Sequence, residues 1–460
     1  MTNCKAIAVF GFLLLAASGL AATPPDDEYA SKSGVRVRRF PISPATPHCA
    51  QMKTNRMYQH CWFFPRFGDV DAKPGLELFY IKGTAEHTAY SHRGELLWRW
   101  SDPKKRPSAV RVDTNVPIFD LDGDGRLDLI VFRHYQDEKA PRLCRLDAAT
   151  GKTIAWSPEP LSLSGKHGDT RLSLIPARLG GKRWSLVLHD DYAQIIAFDA
   201  DLKRIWTRPI TGLGHTTEAV DLDRDGVDEL YCGVALLDAA GKAVWNRSDL
   251  LKGTGEWHPD TNPIVMSKGA PRLFFGPGAR MLDAKGKIIW SLKGQRMTEV
   301  QSARVLHRRD GDPSIVLTDL PAKRTLTWRG MRMRSIDSVS YFLDPDLQVV
   351  GRGAGCHVPI TGDWTGDGND ELILLDKDLR HLLVIGSDAK TIARIPIQQR
   401  VYVSDIRTAP ILPGSKGDQI IMHQWSADWR KAYCVIIENT KAAGRLRKWD
   451  QIKSARWTAY

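Results

Sequence analysis

Short apolar runs recur along the chain, each about a strand in length and each bounded by acidic or turn-forming residues. Leu127–Phe132, Glu229–Cys232 and Glu371–Leu375 are three of them; Ser185–Leu188, Leu273–Phe275, Ser314–Leu317 and Gln419–Met422 are four more. β-Branched and aromatic residues crowd these runs, which is the composition of strands. Nothing after the N-terminus sustains the spacing of an amphipathic helix. A second pattern interleaves with the first. Leu237-Asp238 with Gly241-Lys242 and Trp245 returns as Leu282-Asp283 with Gly286-Lys287 and Trp290. With one extra residue it is Leu146-Asp147, Gly151-Lys152 and Trp156. Looser copies run from Phe198-Asp199 to Trp206, from Gly94 to Trp98 and from Leu343-Asp344 to Val350. A strand, an Asp/Gly turn and a strand ending on a large aromatic make a hairpin. The recurrence, roughly every 40 to 60 positions, is the period of a propeller blade.

Acidic loops precede several of the apolar runs. They read Asp120-x-Asp122-x-Asp124-Gly125-x-x-Asp128, then Asp221-x-Asp223-x-Asp225-Gly226-x-x-Glu229, then Asp363-x-Thr365-x-Asp367-Gly368-x-x-Glu371. A worn copy holds Asp69, Asp71, Gly75 and Glu77. Oxygens at alternate positions can wrap one hard cation while Gly lets the backbone turn around it. Structural Ca2+ is therefore expected at Asp120, Asp122, Asp124 and Asp128, at Asp221, Asp223, Asp225 and Glu229, and at Asp363, Asp367 and Glu371. The loop at Asp69 is expected to hold none. An EF-hand loop begins similarly, but a helix follows it, and here strands follow at once. The competing reading is a set of turns whose Asp side chains bond only backbone.

Each unit thus holds an acidic loop, two strands, an Asp-Gly hairpin and a further strand. Units start near Asp69, Asp120, Leu172, Asp221, Asn262, Gln301, Ile360 and Ala409. One four-stranded sheet cannot bury both its faces alone, whereas a radial array lets neighbours bury each other. The expectation is an all-β chain forming a β-propeller of about eight four-stranded blades, or seven if one unit is ring closure or an insertion. Residues 61–460 form the propeller and 23–60 an extension, with Val35–Arg38 a candidate ring-closing strand.

Residues 1–22 read as a secretory signal: Lys5, an apolar run from Ala6 to Ala17, and small residues at Ala21-Ala22. The run is too short to favour a membrane span, and no other segment is apolar for long enough. An exported, secreted or periplasmic monomer is expected, in a compartment where weak calcium sites fill. Removing Lys5 lowers the formal net charge from +12 to about +11. Cys49 and Cys61 lie close enough in sequence to bridge in an oxidising compartment, and Cys232 sits in a strand as a small apolar group. Basic residues concentrate at Lys323-Arg324, Arg329, Arg332 and Arg334 around Trp328. A basic exported protein suits an acidic polymer. No nucleic-acid motif accompanies the charge, so an acidic polysaccharide is the expected partner and nucleic acid is not. The alternative is a solvated loop between strands.

The acidic loops resemble FG-GAP repeats, the blades of integrin-like propellers. The stretch Gly214-His215-Thr216-Thr217-Glu218, the loop from Asp221 to Glu229 and Leu237-Asp238 with Gly241-Lys242 are similar to rhamnogalacturonan lyases of polysaccharide lyase family 11 and neighbouring propeller lyases. In those proteins a Gly-His loop precedes the acidic loop and a His-x-Asp loop follows the hairpin; Trp257-His258-Pro259-Asp260 takes the second place here. The lyase-like part spans roughly residues 166–375, and the propeller repeats cover most of the chain. The resemblance implies β-elimination of a uronate, which needs a base, a group that neutralises the carboxylate and an acid for the leaving oxygen. The candidates are His215, His258, His189, Tyr192 and Arg171. His215 or Tyr192 would act as base or acid. Arg171 would pair the carboxylate bidentately. His258, oriented by Asp260, would neutralise the carboxylate or protonate the leaving group. Each also has a bland reading as a loop-holding or solvated side chain.

Two places depart from the lyase pattern. Where Lys-Asp-Arg-Tyr-Asn is expected, the chain has His189-Asp190-Asp191-Tyr192-Ala193, and Asp191 stands in an arginine's place. Where Gly-His-Ala-Gln is expected, it has Thr298-Glu299-Val300-Gln301. Either the substrate differs, the roles passed to Arg304 or Arg296, or catalysis was lost. The lyase reading therefore stands beside a non-catalytic propeller that binds acidic glycans or a cell-surface partner, and, more remotely, a hydrolase using paired carboxylates.

Overall fold

A computed structural model describes residues 28–30, 34–42, 63–71, 73–82, 86–101, 116–134, 138–163, 172–190, 192–254, 258–259, 261–267, 269–292, 300–319, 326–328, 331–333, 338–354, 359–376, 380–397, 402–425, 431–444 and 450–451. The signal region, Cys49, Cys61 and Arg171 lie outside them. No helix among the described residues is long and apolar enough to cross a membrane.

Eight antiparallel sheets stand radially as blades. Their innermost strands are, in chain order, Phe63–Gly68, Ile118–Phe119, Leu172–Ala177, Glu218–Val220, Ile264–Met266, Val300–Leu306, Ile360–Gly362 and Tyr402–Ala409. Burial falls outward across a blade: in blade 3, Ser185–Asp190 is buried at every position, and the outermost strand, Arg204–Pro209, at none. This explains why the second strands are the continuous apolar runs of the sequence, since both their faces lie against neighbouring blades.

The acidic loops sit inside the blades rather than at their start, joining the innermost strand to the second. Blade 6 carries an insertion between its second and third strands, the hairpin Leu326–Trp328 with Met331–Met333. Most of the basic cluster around it lies outside the described residues. Ring closure uses the N-terminal strand Val35–Ile42, which pairs with Ala432–Asn439 over eight registered positions and serves blade 8 as its fourth strand. The ring therefore starts before residue 61.

The hairpin repeat is an inter-blade lock. The Trp98 indole of blade 1 donates to the Ala148 carbonyl at the hairpin of blade 2 (2.9 Å). Trp206 of blade 3 reaches Ala239 of blade 4, and Trp245 of blade 4 reaches Ala284 of blade 5, each at 2.9 Å. Gly151 turns with φ +68°, and a Cβ there would lie 2.6 Å from the Trp98 ring. The motif's Gly thus seats the previous blade's Trp, and its own Trp seats on the next blade.

His87 is fully buried in blade 1, its ring stacked on Trp100 at 5.1 Å, with no hydrogen-bond partner for either nitrogen. Burial pushes its pKa down from 6.5 to about 3. The folded protein holds it neutral while the unfolded chain protonates it below 6.5, so this stability is present above 6.5 and lost as pH falls toward 3. The loss is on the order of 1.4 kcal/mol per pH unit in that window. His87→Phe is expected to flatten the acid limb of a Tm-against-pH curve; an unchanged limb would refute the assignment.

Candidate functional site

Chain direction fixes the two faces of the ring. In blade 4 the chain enters through the Leu213–Thr217 loop and runs down Glu218–Val220 to the Asp221 loop, then up Glu229–Tyr231 to a turn. It goes down Ala235–Leu237 to the Asp238 hairpin and up Ala243–Asn246 to the loop bearing His258. The inter-blade loops and the turns between second and third strands therefore share an upper face. The acidic loops and Asp-Gly hairpins share the lower one.

Three candidates meet on the upper face from three consecutive blades. Tyr192 lies at the turn between Ser185–Asp190 and Gln194–Phe198 of blade 3, with φ +59°, a conformation costly for a non-glycine residue and a known mark of functional sites. His215 lies in the loop entering blade 4 and His258 in the loop entering blade 5. The Tyr192 hydroxyl is 3.1 Å from His215 Nε2, and His258 Nε2 is 3.2 Å from the same atom. The three rings meet edge to face, with centroids 4.6 to 5.0 Å apart. Both contacts converge on His215 Nε2.

The supporting structure explains the Gly-His pair. A Cβ at Gly214 would lie 2.2 Å from the Pro259 carbonyl oxygen, and one at Gly233 (φ +83°) 2.3 Å from the Pro259 ring. Pro259 thus presses between two glycines and fixes the His258 loop against the His215 loop. Asn262 ties the loops further, donating to the Thr216 carbonyl at 3.2 Å and the Tyr231 carbonyl at 3.3 Å. His189 does not join the cluster. It is buried, with Nδ1 2.8 Å from the Thr217 hydroxyl and Nε2 2.7 Å from the Gly214 carbonyl. Burial, against the Gly214 bond, takes its pKa down to about 3. With both nitrogens engaged it holds the His215 loop in place. The sequence does not reveal this, because His189 ends a strand and its partners lie 25 and 28 residues away. Arg171, Asp191 and Asp260 lie outside the described residues.

On the lower face, two acidic triads gather ligand atoms within 4.8 Å of one another, Asp120 with Asp122 and Asp128, and Asp221 with Asp223 and Asp225. Both can hold a metal ion. Asp120 and Asp221 also accept backbone N–H groups of their own loops. The last acidic residue of the motif has a further duty: Asp128, Glu229 and Glu371 accept the N–H of Leu121, Leu222 and Thr365. Glu77 and Gln419 do the same for Val70 and Leu412 in blades without the full motif. That carboxylate is a loop fastener in each blade where it occurs.

The two triads differ in charge. Arg145 Nη2 lies 2.8 Å from Asp122 and Nε 3.5 Å from Asp128, so a guanidinium stands among the carboxylates of the first triad. In blade 4 the equivalent position, by register against the second strand, is Leu236, buried and apolar. No such triad is formed at Asp363 among the described residues. The Thr365 hydroxyl donates to Glu371 (2.8 Å), Gly368 N–H to Asp363, and burial pushes Glu371 up to about 8. These bonds hold the Asp363 loop.

The fold resembles known propellers. The exotype rhamnogalacturonan lyase YesX superposes with a TM-score of 0.59 at 18% identity, covering 91% of this chain and 75% of that one. The rhamnogalacturonan lyase of polysaccharide lyase family 11 from Bacillus licheniformis gives 0.53 at 16% identity over the same shares. The biofilm matrix protein Bap1 of V. cholerae gives 0.53 at 11%, covering 85% of this chain and 90% of that one. At these identities the likeness is one of fold. No family model and no curated protein matches the chain.

Proposed function

We propose that this propeller is a polysaccharide lyase-like protein that cleaves an acidic, uronate-containing polysaccharide by β-elimination. The observation that carries the reading is the convergence of Tyr192, His215 and His258 on the upper face. His215 Nε2 takes the proton from the carbon α to the carboxylate. The electrons of that C–H bond become the new double bond as the bond from the β carbon to the glycosidic oxygen breaks, and Tyr192 hands its proton to that oxygen. The 3.1 Å contact then lets the His215 proton return to the tyrosinate, so the site resets without net proton change. His258, in contact with His215, is the group set to hydrogen-bond the substrate carboxylate.

The test is ultraviolet absorbance of the unsaturated uronate product on a panel of acidic polysaccharides, including rhamnogalacturonan, ulvan and pectate. Rising absorbance that His215→Ala removes supports the proposal. Retention on the same polymers with no absorbance would replace it with a binding propeller.

Structural Ca2+ belongs to the same reading. Asp221 stands at the opposite end of the strand Glu218–Val220 from the His215 loop, so an ion there braces blade 4 from below and takes no part in the chemistry. Calcium titration of chelator-stripped protein should find binding at both triads, the Asp221 site lost in Asp223→Asn and the Asp120 site weaker because Arg145 stands among its carboxylates. Arg145→Leu should tighten the Asp120 site. Equal affinities at the two sites in the unaltered protein would show that Arg145 does not compete with the ion. Chelation should lower Tm, because an ion that binds only the native state stabilises it.

A further inference from the structure

The inter-blade lock is built at three junctions and missing between blades 2 and 3. By register, Trp98 stands opposite Ala89, Trp206 opposite Ala197 and Trp245 opposite Leu236, and from there each reaches the next blade. Two residues on, a second flat side chain reinforces each. Trp100 Nε1 reaches the Thr153 hydroxyl of blade 2 (3.2 Å), Arg208 Nε the Gly241 carbonyl of blade 4 (2.9 Å), and Arg247 Nη1 the Gly286 carbonyl of blade 5. In blade 2 the extra hairpin residue shifts this pattern. Ala155 takes the lock position, opposite Arg145. Trp156 lies opposite Cys144 and turns to blade 1, where its ring meets that of Trp100 at 6.4 Å. Two residues past Ala155 stands Ser157, buried and bonded to the Leu143 N–H and the Glu159 carbonyl.

The receiving hairpin of blade 3 has changed as well. Leu202, at φ +60°, replaces the glycine that seats an indole in blades 2, 4 and 5. Its side chain joins the core between blades 2 and 3 with Leu161 and Phe198. Two flat side chains have nevertheless given way to Ala155 and Ser157. The space left is a groove of about 320 Å3 between the linker 158–162 and the blade 3 hairpin, with Phe198, Leu202, Lys203 and Arg204 along it. Leu202 and Arg204 are the counterparts of Gly151 and Thr153, which Trp98 and Trp100 touch in blade 2. The volume falls in the range of small-molecule sites, roughly 300–1,000 Å3.

The geometry points to a small-molecule site in this groove, one that takes a flat aromatic acid bearing an N–H or O–H donor. The shape follows from the other junctions, where flat groups, indole or guanidinium, fill the corresponding place. The apolar floor of Leu161 and Phe198 suits a ring face. The donor follows from the backbone: the Leu202 carbonyl is the counterpart of the Gly241 and Gly286 carbonyls, each of which takes an N–H from the preceding blade. The acid follows from the rim. Arg204 pairs with Glu159 at 3.0 Å and Arg183 with Asp201 at 3.1 Å, and Lys203, exposed, adds an ammonium beside them. Positive charge is in excess there, which favours a carboxylate. The groove opens at the rim of the ring, and the site stands or fails independently of the elimination chemistry.

Calorimetric titration of the intact protein with indole-3-acetate tests it, with 1-methylindole-3-acetate and cyclohexylacetate as controls. Indole-3-acetate should bind. The methylated compound should bind roughly fivefold more weakly, the loss of about one hydrogen bond. Cyclohexylacetate, which carries the acid on a ring that is not flat, should not bind. Lys203→Glu, at an exposed position, should weaken binding by roughly fivefold with Tm unchanged, the effect of about one exposed ion pair. Ala155→Trp combined with Leu202→Gly rebuilds the lock and should abolish binding while raising Tm. Absence of indole-3-acetate binding, equal binding of cyclohexylacetate, or binding that neither Lys203→Glu nor the rebuilt lock changes overturns the site.

Discussion

His215→Ala is expected to lower the rate of unsaturated-uronate release by roughly a hundred- to ten-thousand-fold, the range that a general base or acid commonly contributes. The size of the effect follows from where the side chain sits. Nε2 of His215 is the one atom in contact with both other members of the cluster, at 3.1 Å from the Tyr192 hydroxyl and 3.2 Å from His258 Nε2. Removing it takes away the acceptor and also the route by which Tyr192 recovers its proton. Tyr192→Phe separates chemistry from architecture, since it keeps the ring that packs edge-on against both histidines and deletes only the hydroxyl. That variant should lose rate with Tm nearly unchanged. Equal losses of rate and Tm in both variants would mean that the cluster merely holds three loops together. The experiment requires a polymer on which the unaltered protein acts, which the absorbance panel supplies.

Trp98→Ala is expected to destabilise the protein by about 3–5 kcal/mol, the usual cost of emptying a buried aromatic site. Trp98 is buried, and its indole N–H holds the Ala148 carbonyl. Its ring lies 6.0 Å from that of Phe79 and covers Gly151. The substitution leaves a cavity and an unmatched carbonyl at the junction of blades 1 and 2. Denaturant unfolding at neutral pH measures the loss. A change below about 1 kcal/mol, the size of a surface substitution, would show that the hairpin repeat is not what joins the blades.

The repeats made the fold legible because blades bury one another through the same few residues. Gly151 with Trp98 and Gly241 with Trp206 are contacts between neighbours, and they leave a fixed spacing in the chain. Eight units can be counted from that spacing, and the candidate closing strand Val35–Arg38 is the start of the observed one. His215, His258 and Tyr192 were legible only through resemblance, since their meeting depends on three blades turning their loops to one face. The support from His189 was hidden because its partners, Thr217 and the Gly214 carbonyl, belong to another blade. Arg145 left a fainter signal, a basic residue just before a Leu-Asp pair where Leu236 and Met281 stand in the other copies.

Ring closure also bears on how the molecule is made. Thr440 hydrogen-bonds back to Gly34 across a separation of 406 residues, beside the strand pair that seals blade 8. During synthesis the segment 35–42 must therefore wait, with its hydrogen-bonding edge open, until Ala432–Asn439 has emerged. Such distant pairing slows folding and leaves a template for wrong partners in the interval. A chain interrupted before Ala432 would not be a smaller ring but an arc with two raw ends. The strand Ala432–Asn439 decides whether the blades made before it are protected.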